Sequence, residues 1–142
     1  MGFVNHYYLK HTTDNTVSDW GAIYVDARNE QLNQHTCELD DITRIYGHQM
    51  RDGSQFTALK KFKDPNYSKD HDMGVYYTDD GLCYKMDFIA TYVISGEDDS
   101  VIPFNFNTVE EKQAYVDNEI IHAAKSGYSN ADYADIDEDS KL

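Results

Sequence analysis

The feature that most constrains the fold of this sequence is an alternating segment between residues 82 and 94. Apolar side chains there occupy every second position, at Tyr84, Met86, Phe88, Ala90, Tyr92 and Ile94. A period of two places one set of side chains on one face of a β-strand. Residues 74–78 form a second apolar run, and the Asp-Asp-Gly sequence at 79–81 is a turn signal between the two runs. The pattern therefore predicts a β-hairpin in the middle of the chain.

Shorter strand signals precede the hairpin. Residues 5–11, 21–26 and 42–48 each read as a strand, and the polar stretches 12–19 and 27–41 read as loops. The chain also holds 12 tyrosines, whose rings suit a half-buried pleated surface. The sequence therefore predicts a mostly-β domain with helical insertions.

Three helices are predicted between and after these strands. Phe56, Leu59 and Phe62 follow helical spacing until Asp64-Pro65, and a short helix is expected at 66–71. The sequence Thr108-Val-Glu-Glu111 is a capping box that opens a long helix to about residue 124. The apolar face of this helix holds Val109, Val116, Ile120 and Ala123. The acidic residues 128–142 are expected to be a loop or a frayed end.

Composition excludes several classes of function. The net charge of −14 repels a phosphate backbone, so nucleic acid is not an expected partner. No run reaches the roughly 20 apolar residues of a membrane span, and the first residues lack a signal peptide's basic region, so a soluble chain is expected. Two cysteines, Cys37 and Cys83, are too few for a disulfide framework or a zinc site. They are expected to be incidental thiols, with a single bridge between them as the alternative.

The sequence Ile45-Tyr-Gly-His48 poses the main functional question. A histidine at the end of a strand can project into a cleft, and its ordinary pKa near neutrality suits acid–base catalysis. The alternative is a structural histidine that is hydrogen-bonded at a strand end. Neither the six histidines nor the acidic tail form a metal-ligand pattern, so no metal and no cofactor are expected.

The order of motifs along the chain resembles the class B sortases. The motifs are N5-H-Y-Y-L9, G21-A-I-Y-V-D26, I45-Y-G-H-Q-M-R-D-G-S-Q-F56 and L59-K-K-F62, and the long helix after the hairpin resembles the helix insertion of that class. The resemblance covers most of residues 5–127. Class B sortases are cysteine transpeptidases that attach proteins to the cell wall of Gram-positive bacteria. The resemblance therefore implies a sortase-type β-barrel, here incomplete.

The same resemblance assigns roles to four residues. His48 is similar to the catalytic histidine of the family, and Tyr46 would line the groove for the sorting signal. Asn5 and Leu9 are similar to groove residues, although core packing explains Leu9 equally well. The implied partners are an NPxTx-type sorting-signal peptide and an amine acceptor of the cell wall. The implied location is the extracytoplasmic face of the cell membrane.

The sequence also departs from the family pattern. The family's nucleophile lies in a T-x-x-T-C strand followed by an arginine strand, and neither occurs before Leu142. Cys37, Cys83, Arg44 and Arg51 do not occupy those positions. We therefore expect residues 1–127 to be a core without its first and last strands, and 128–142 to lead toward the catalytic strand. The chain alone is expected to be inactive and to self-associate through exposed strand edges. The alternative is a non-catalytic module that binds the sorting signal or oligomerises.

Overall fold

The computed structural model describes residues 5–29, 39–78, 81–95, 102–130, 132–133 and 135–142. Short helices and strands alternate along them. In chain order they are helix α1 (Asn5–Lys10), strands β1 (Tyr24–Val25) and β2 (Ile45–Tyr46), a 3-10 helix (Phe56–Lys63), helix α2 (Pro65–Asp70), strands β3 (Met73–Tyr77), β4 (Cys83–Asp87) and β5 (Ala90–Thr91), helix α3 (Val109–Ser126) and strand β6 (Tyr128–Ser129). More of these residues are helical than extended, which corrects the expectation of a mostly-β chain.

The strands form three separate antiparallel pairs, β1–β2, β3–β4 and β5–β6. No sheet among the described residues closes into a barrel. The chain divides into two compact units. Unit 1 takes the described residues up to Lys60 together with Lys141–Leu142, and unit 2 takes those from Lys61 to Ser140. None of the described helices is both long and apolar enough to cross a lipid bilayer.

The predicted hairpin is confirmed in strands β3 and β4, where Tyr76 lies opposite Tyr84. The second strand is shorter than the alternation predicts. The strand ends at Asp87, and one further bond in the same register joins the Phe88 N–H to the carbonyl oxygen of Asp72, at 2.7 Å. The chain then changes partner, and β5 pairs with β6 instead of continuing the hairpin. Residues 79–80 of the predicted turn lie outside the described residues.

The first predicted strand is wrong, since residues 5–10 form helix α1. Tyr7 and His11 explain the difference, because residues four apart meet on one face of a helix. Their rings stack in parallel with centroids 4.1 Å apart. The His11 Nδ1–H also donates to the Tyr7 carbonyl oxygen, at 2.9 Å, and so satisfies a carbonyl near the end of the helix.

The strands at 21–26 and 42–48 are confirmed only in their centres, because β1 and β2 each span two residues. A separate isolated bridge joins Gln49 to Gln55 in the turn after β2. Among the described residues of unit 1, the buried apolar side chains are Ala22, Leu39 and Ile42.

Helix α3 begins at the predicted capping residue. The Thr108 hydroxyl accepts from the Glu111 N–H at 3.2 Å. The Glu111 carboxylate accepts from the N–H of Asn107, at 3.0 Å, and not from that of Thr108 as a standard capping box requires. The helix ends at Ser126, two residues beyond the expected end, and buries Val116 and Ala123.

Lys112 is also buried in α3, with 3% of its surface exposed. Its ammonium group donates to the carbonyl oxygens of Asp137, Glu138 and Ser140, at 3.3, 3.2 and 2.8 Å. This lysine therefore holds part of the acidic segment that the sequence predicts to be a loop or a frayed end. The segment is a loop over most of its length, but it is not frayed at these positions.

The other end of this segment is held in unit 1. The Leu142 N–H donates to the carbonyl oxygen of Asp41 at 2.6 Å, and the Leu142 carbonyl oxygen accepts from the Thr43 N–H at 2.9 Å. Lys141 forms an ion pair with the Asp41 carboxylate at 3.2 Å. The last two residues are thus tied to the chain just before β2.

Candidate active site

The backbone around His48 is fixed by the segment that follows it. The His48 N–H donates to the side-chain oxygen of Gln55 at 2.8 Å, and the His48 carbonyl oxygen accepts from the Phe56 N–H at 3.0 Å. Gln55 has a positive φ of 50°, an unfavourable conformation for a side chain of this type. Its side-chain amide also donates to the Trp20 carbonyl oxygen at 3.1 Å. Two polar contacts therefore hold Gln55 in this turn.

Gly47 precedes His48 because no side chain fits at this position. A Cβ there would lie 2.7 Å from Cδ2 of Phe56 and 3.1 Å from Cγ1 of Ile23. The Phe56 ring packs directly on the glycine backbone. The glycine of the Y-G-H sequence is thus explained by close packing at the end of β2.

The His48 imidazole differs from the other histidine side chains that the structure describes. His11 stacks on Tyr7, His71 stacks on Tyr67 with centroids 3.9 Å apart, and His122 meets the Tyr92 ring edge-on at 5.6 Å. The Nδ1–H of His71 donates to the Tyr67 carbonyl oxygen at 2.8 Å, as that of His11 does to Tyr7. By contrast, the half-buried His48 ring makes no hydrogen bond, ion pair or ring contact within the described part of the chain. Its nitrogens are therefore available for a ligand.

Tyr46 is the last residue of β2 and lies two residues before His48 in the chain. Its hydroxyl donates to the Asp26 carboxylate at 2.8 Å. Its ring packs on Tyr24 with centroids 5.4 Å apart, and the Arg44 guanidinium lies 5.4 Å from the ring centroid. Burial raises the pKa of Tyr46 above its usual value, and the bond to Asp26 raises it further.

Asp26 is the centre of a buried polar cluster beside these rings. Its side chain is inaccessible to solvent and pairs with Arg28, whose Nη2 and Nε lie 2.7 and 3.0 Å from the two carboxylate oxygens. The Asp26 N–H donates to the Arg44 carbonyl oxygen at 2.8 Å and so joins the end of β1 to the start of β2. The carboxylate raises the pKa of Arg28, which keeps the guanidinium charged. A buried carboxylate is stable here because it is paired.

Asn29 extends this cluster into the chain before β2. It is fully buried, and its side-chain amide donates to Asp40 at 2.9 Å and to the Ile42 carbonyl oxygen at 2.7 Å. Its side-chain oxygen accepts from the Arg44 N–H at 3.1 Å. Asn29 therefore fixes the path of the backbone that leads to Tyr46 and His48.

A line of tyrosine rings connects helix α1 with Tyr46. The Tyr8 ring lies 6.3 Å from Tyr24, and Tyr24 packs on Tyr46. Gly21 permits the close approach of α1, since a Cβ there would lie 2.1 Å from the Tyr8 carbonyl oxygen and its φ is +55°. Burial raises the pKa of Tyr24, and the negative charge of Asp26 adds to this effect.

The structure does not test the groove roles predicted for Asn5 and Leu9 of α1. Asn5 begins the helix, but its side chain lies outside the described part of the structure. Leu9 is half-buried, so both groove contact and core packing remain compatible with its position. The groove roles of both residues stay predictions.

Cys83 is an exposed free thiol in β4 of unit 2, and Cys37 lies outside the described residues. Arg44 contacts Tyr46 with its guanidinium, whereas Arg51 is an exposed residue of the turn after His48. No group of three or more histidine, cysteine or acidic side chains within the described ranges could hold a metal ion.

The sequence reasoning missed Asp26, Arg28 and Asn29, which it assigned to the end of a strand and a polar loop. The spacing of Asp26 and Arg28 could have indicated the ion pair. An aspartate directly after a strand can accept hydrogen bonds from both the backbone N–H and the guanidinium of an arginine two residues later. Both bonds are formed, the backbone bond at 2.9 Å.

Comparison with known proteins shows similarity to sortase B. No family model matches the chain. Over 89 residues, 62% of this chain and 33% of the relative, it is 38% identical to Sortase B of Listeria monocytogenes. The match thus spans about one third of the curated relative.

Solved structures show the same relationship. The fold matches Sortase B from Listeria monocytogenes with a TM-score of 0.74 and 27% identity, over 95% of this chain and 71% of that one. A protein of Bacillus anthracis described as similar to sortase B matches with a TM-score of 0.73 and 25% identity, over 92% and 56% of the two chains. A sortase B–substrate complex of Staphylococcus aureus shares the fold, with a TM-score of 0.74 at 21% identity, over 92% and 56%. This chain is thus similar in sequence and in fold to sortase B proteins.

Proposed function

We propose that this chain supplies the histidine and part of the peptide groove of a class B sortase-type cysteine transpeptidase. The observation that carries the proposal is that His48 has a fixed backbone and an unbonded ring. The His48 N–H is bonded to Gln55 and the His48 carbonyl oxygen to Phe56, while the imidazole has no partner among the described residues. A fixed backbone with a free ring suits a group that has to meet a substrate.

In this proposal His48 acts as the general acid. A thiolate attacks the threonine carbonyl carbon of an NPxTx-type sorting signal, and a sulfur–carbon bond forms. As the carbon–nitrogen bond breaks, the electron pair goes to the nitrogen, and protonated His48 gives this nitrogen its proton. An amine of the cell wall then attacks the thioester carbonyl carbon, gives a proton to the now neutral His48, and releases the thiolate as the carbon–sulfur bond breaks. An arginine would stabilise the oxyanion.

We further propose that the 142 residues alone do not perform this reaction. Cys83 lies on a hairpin strand and Cys37 in the segment before β2, and neither stands in a T-x-x-T-C sequence. The nucleophile and the arginine would have to come from another segment or another chain. The partners of the complete enzyme would be a sorting-signal peptide and a cell-wall amine, at the extracytoplasmic face of the membrane.

The second candidate is a module that binds the sorting signal without chemistry, or that oligomerises. The position of the two cysteines favours it, and so does the exposed apolar surface of the hairpin. Met73, Val75 and Tyr77 of β3 are 63%, 50% and 71% exposed. Such a strand is a surface for contact with a second copy of the chain. Sedimentation across a concentration series would test for that association.

Binding and catalysis can be tested with the same peptide. We expect an NPxTx-type peptide to shift the NMR signals of Tyr46 and His48 without being cleaved. His48→Ala should remove the imidazole signals and weaken binding, whereas His71→Ala, which removes a histidine with local partners, should leave binding unchanged. No shift at either residue would contradict the groove assignment. Turnover that Cys37→Ser or Cys83→Ser abolishes would instead show that the chain contains its own nucleophile.

A further inference from the structure

The hydroxyl of Tyr46 lies in a charged setting unusual for a groove tyrosine. The Asp26 carboxylate accepts from this hydroxyl and also from the Arg28 backbone N–H, Nε and Nη2. Asp26 is fully buried, whereas the Arg28 side chain is 54% exposed. The ion pair therefore reaches from the interior to the surface at the hydroxyl end of Tyr46.

The ring of Tyr46 is fixed along its whole length. Tyr24 packs on it, the Arg44 guanidinium lies over it, and Asp26 holds its hydroxyl. Asp26 is itself anchored by its N–H to the Arg44 carbonyl oxygen. Any movement of the ring would therefore break at least one contact to the end of β1.

The direction of the hydrogen bond has a chemical consequence. An ionised carboxylate only accepts hydrogen bonds, so the hydroxyl proton of Tyr46 is committed to Asp26. The Arg28 guanidinium beside the same hydroxyl is only a donor. Any further partner of the Tyr46 oxygen must consequently be a donor as well.

We propose that Asp26, charge-balanced by Arg28, is a positioning residue that fixes the ring of Tyr46, two residues before His48 in the chain, and makes its hydroxyl oxygen a hydrogen-bond acceptor for the peptide. The group it selects is an N–H of the peptide, from the backbone or from a side-chain amide. This inference rests on the proposed function, because it takes Tyr46 as a wall of the groove.

The positioning bond can be tested without a peptide, by ¹³C NMR titration of the tyrosine ring carbons. Tyr46→Phe assigns the signal. In the unchanged protein the pKa of Tyr46 should lie above the usual tyrosine value of 10.0, and Asp26→Asn, which removes the charge and keeps the shape, should lower the pKa of Tyr46. A Tyr46 signal that titrates at the usual tyrosine value in the unchanged protein would overturn the inference, even if Asp26→Asn fails to fold. An unaltered pKa of Tyr46 in folded Asp26→Asn would overturn it too.

The role in binding needs the NPxTx-type peptide. Loss of one hydrogen bond typically weakens the affinity for a ligand, here the peptide, by about 2- to 10-fold. We expect Tyr46→Phe and Asp26→Asn each to weaken binding by about this factor, and the double variant to be no weaker than the single ones. Tyr77→Phe is the matched control and should bind normally. Equal affinity of Tyr46→Phe and the unchanged protein would refute the acceptor role.

The two proposals fail in different ways. If the peptide does not bind but Tyr46 ionises at high pH, the groove function is refuted and the bond to Asp26 stands. If the peptide binds at His48 but Tyr46 ionises normally, the function stands and the positioning role of Asp26 is refuted.

Discussion

Replacing Gly47 by alanine tests whether close packing at the end of β2 supports the site. The added Cβ would lie 2.7 and 3.0 Å from two carbons of the Phe56 ring and 3.1 Å from Ile23. Overpacking of this kind typically costs about 1–3 kcal/mol. Alanine also restricts the unfolded chain, which offsets about 0.4–1 kcal/mol of that cost. We therefore expect Gly47→Ala to lower the free energy of unfolding by about 1.3 kcal/mol, within a range of about 0–2.6 kcal/mol.

Gly74→Ala is the matched control. A Cβ at Gly74 meets only the Cβ of Met86, at 3.8 Å, which is an ordinary contact. Since glycine inside a strand is less favourable than alanine by roughly 0.5–1 kcal/mol, this variant should be neutral or slightly more stable. Urea unfolding followed by circular dichroism measures both variants. Equal stability of the two would refute the packing argument.

We expect Gly47→Ala also to change the environment of His48. The Phe56 ring has to move away from the new methyl group, and the Phe56 N–H is bonded to the His48 carbonyl oxygen. We expect the imidazole signals of His48 to shift in Gly47→Ala and to return toward their original positions when Phe56→Leu is added. The two substitutions should couple favourably, by about 0.5–2 kcal/mol in a double-mutant cycle. Purely additive effects would show that the ring is not the obstacle.

Two further predictions concern the carbonyl cage, which is formed around the Lys112 ammonium by the carbonyl oxygens of Asp137, Glu138 and Ser140. Hydrogen bonds to a charged group are worth about 1.5–3 kcal/mol, but carbonyl groups that lose the lysine can partly bind water instead. We therefore expect Lys112→Met to destabilise unit 2 by about 2 kcal/mol. Lys125→Met, an exposed change on the same helix with the same loss of charge, should cost less than about 0.5 kcal/mol, and equal losses would contradict the cage. The Ser140 hydroxyl lowers the pKa of Asp137 below its usual value of 3.8. The bond between Asp137 and Ser140 therefore stabilises the folded protein above pH 3.8, and this stabilisation is lost as the pH falls through the lowered pKa of Asp137. In Ser140→Ala, NMR titration should show a higher pKa of Asp137.

The hairpin and the cap of α3 could be predicted from the sequence because their signals are local. Alternation at 84–86 and the Thr108–Glu111 spacing depend on residues that contact one another within a few positions. The early end of β4 could not be predicted, because the chain changes partner to β6, which is distant in the sequence.

For helix α1 the prediction failed although a local helix signal was present. Two adjacent tyrosines favour a strand by propensity, but that preference depends on the neighbouring surface. The stack of Tyr7 on His11 at a spacing of four was readable as a helix signal and was outweighed by the aromatic content.

The Y-G-H resemblance predicts roles for His48 and Tyr46, and these roles stay predictions. The sequence did not point to the buried Asp26 that holds Tyr46. Asp26 in unit 1 and Lys112 in unit 2 are buried charges, which sequence patterns normally assign to the surface. For Lys112 a signal existed, because it lies three residues after Val109 and four before Val116, on the apolar face of α3.

The two stacked tyrosine–histidine pairs have a practical consequence. Tyr7–His11 lies in unit 1 and Tyr67–His71 in unit 2, and both bring an imidazole parallel to a phenol ring at about the same distance. The ring current of each tyrosine should shift the proton resonances of its histidine upfield, and melting of the helix would abolish the shift. The protein thus carries one built-in reporter of order in each unit, and a single heating series would show whether the two melt together.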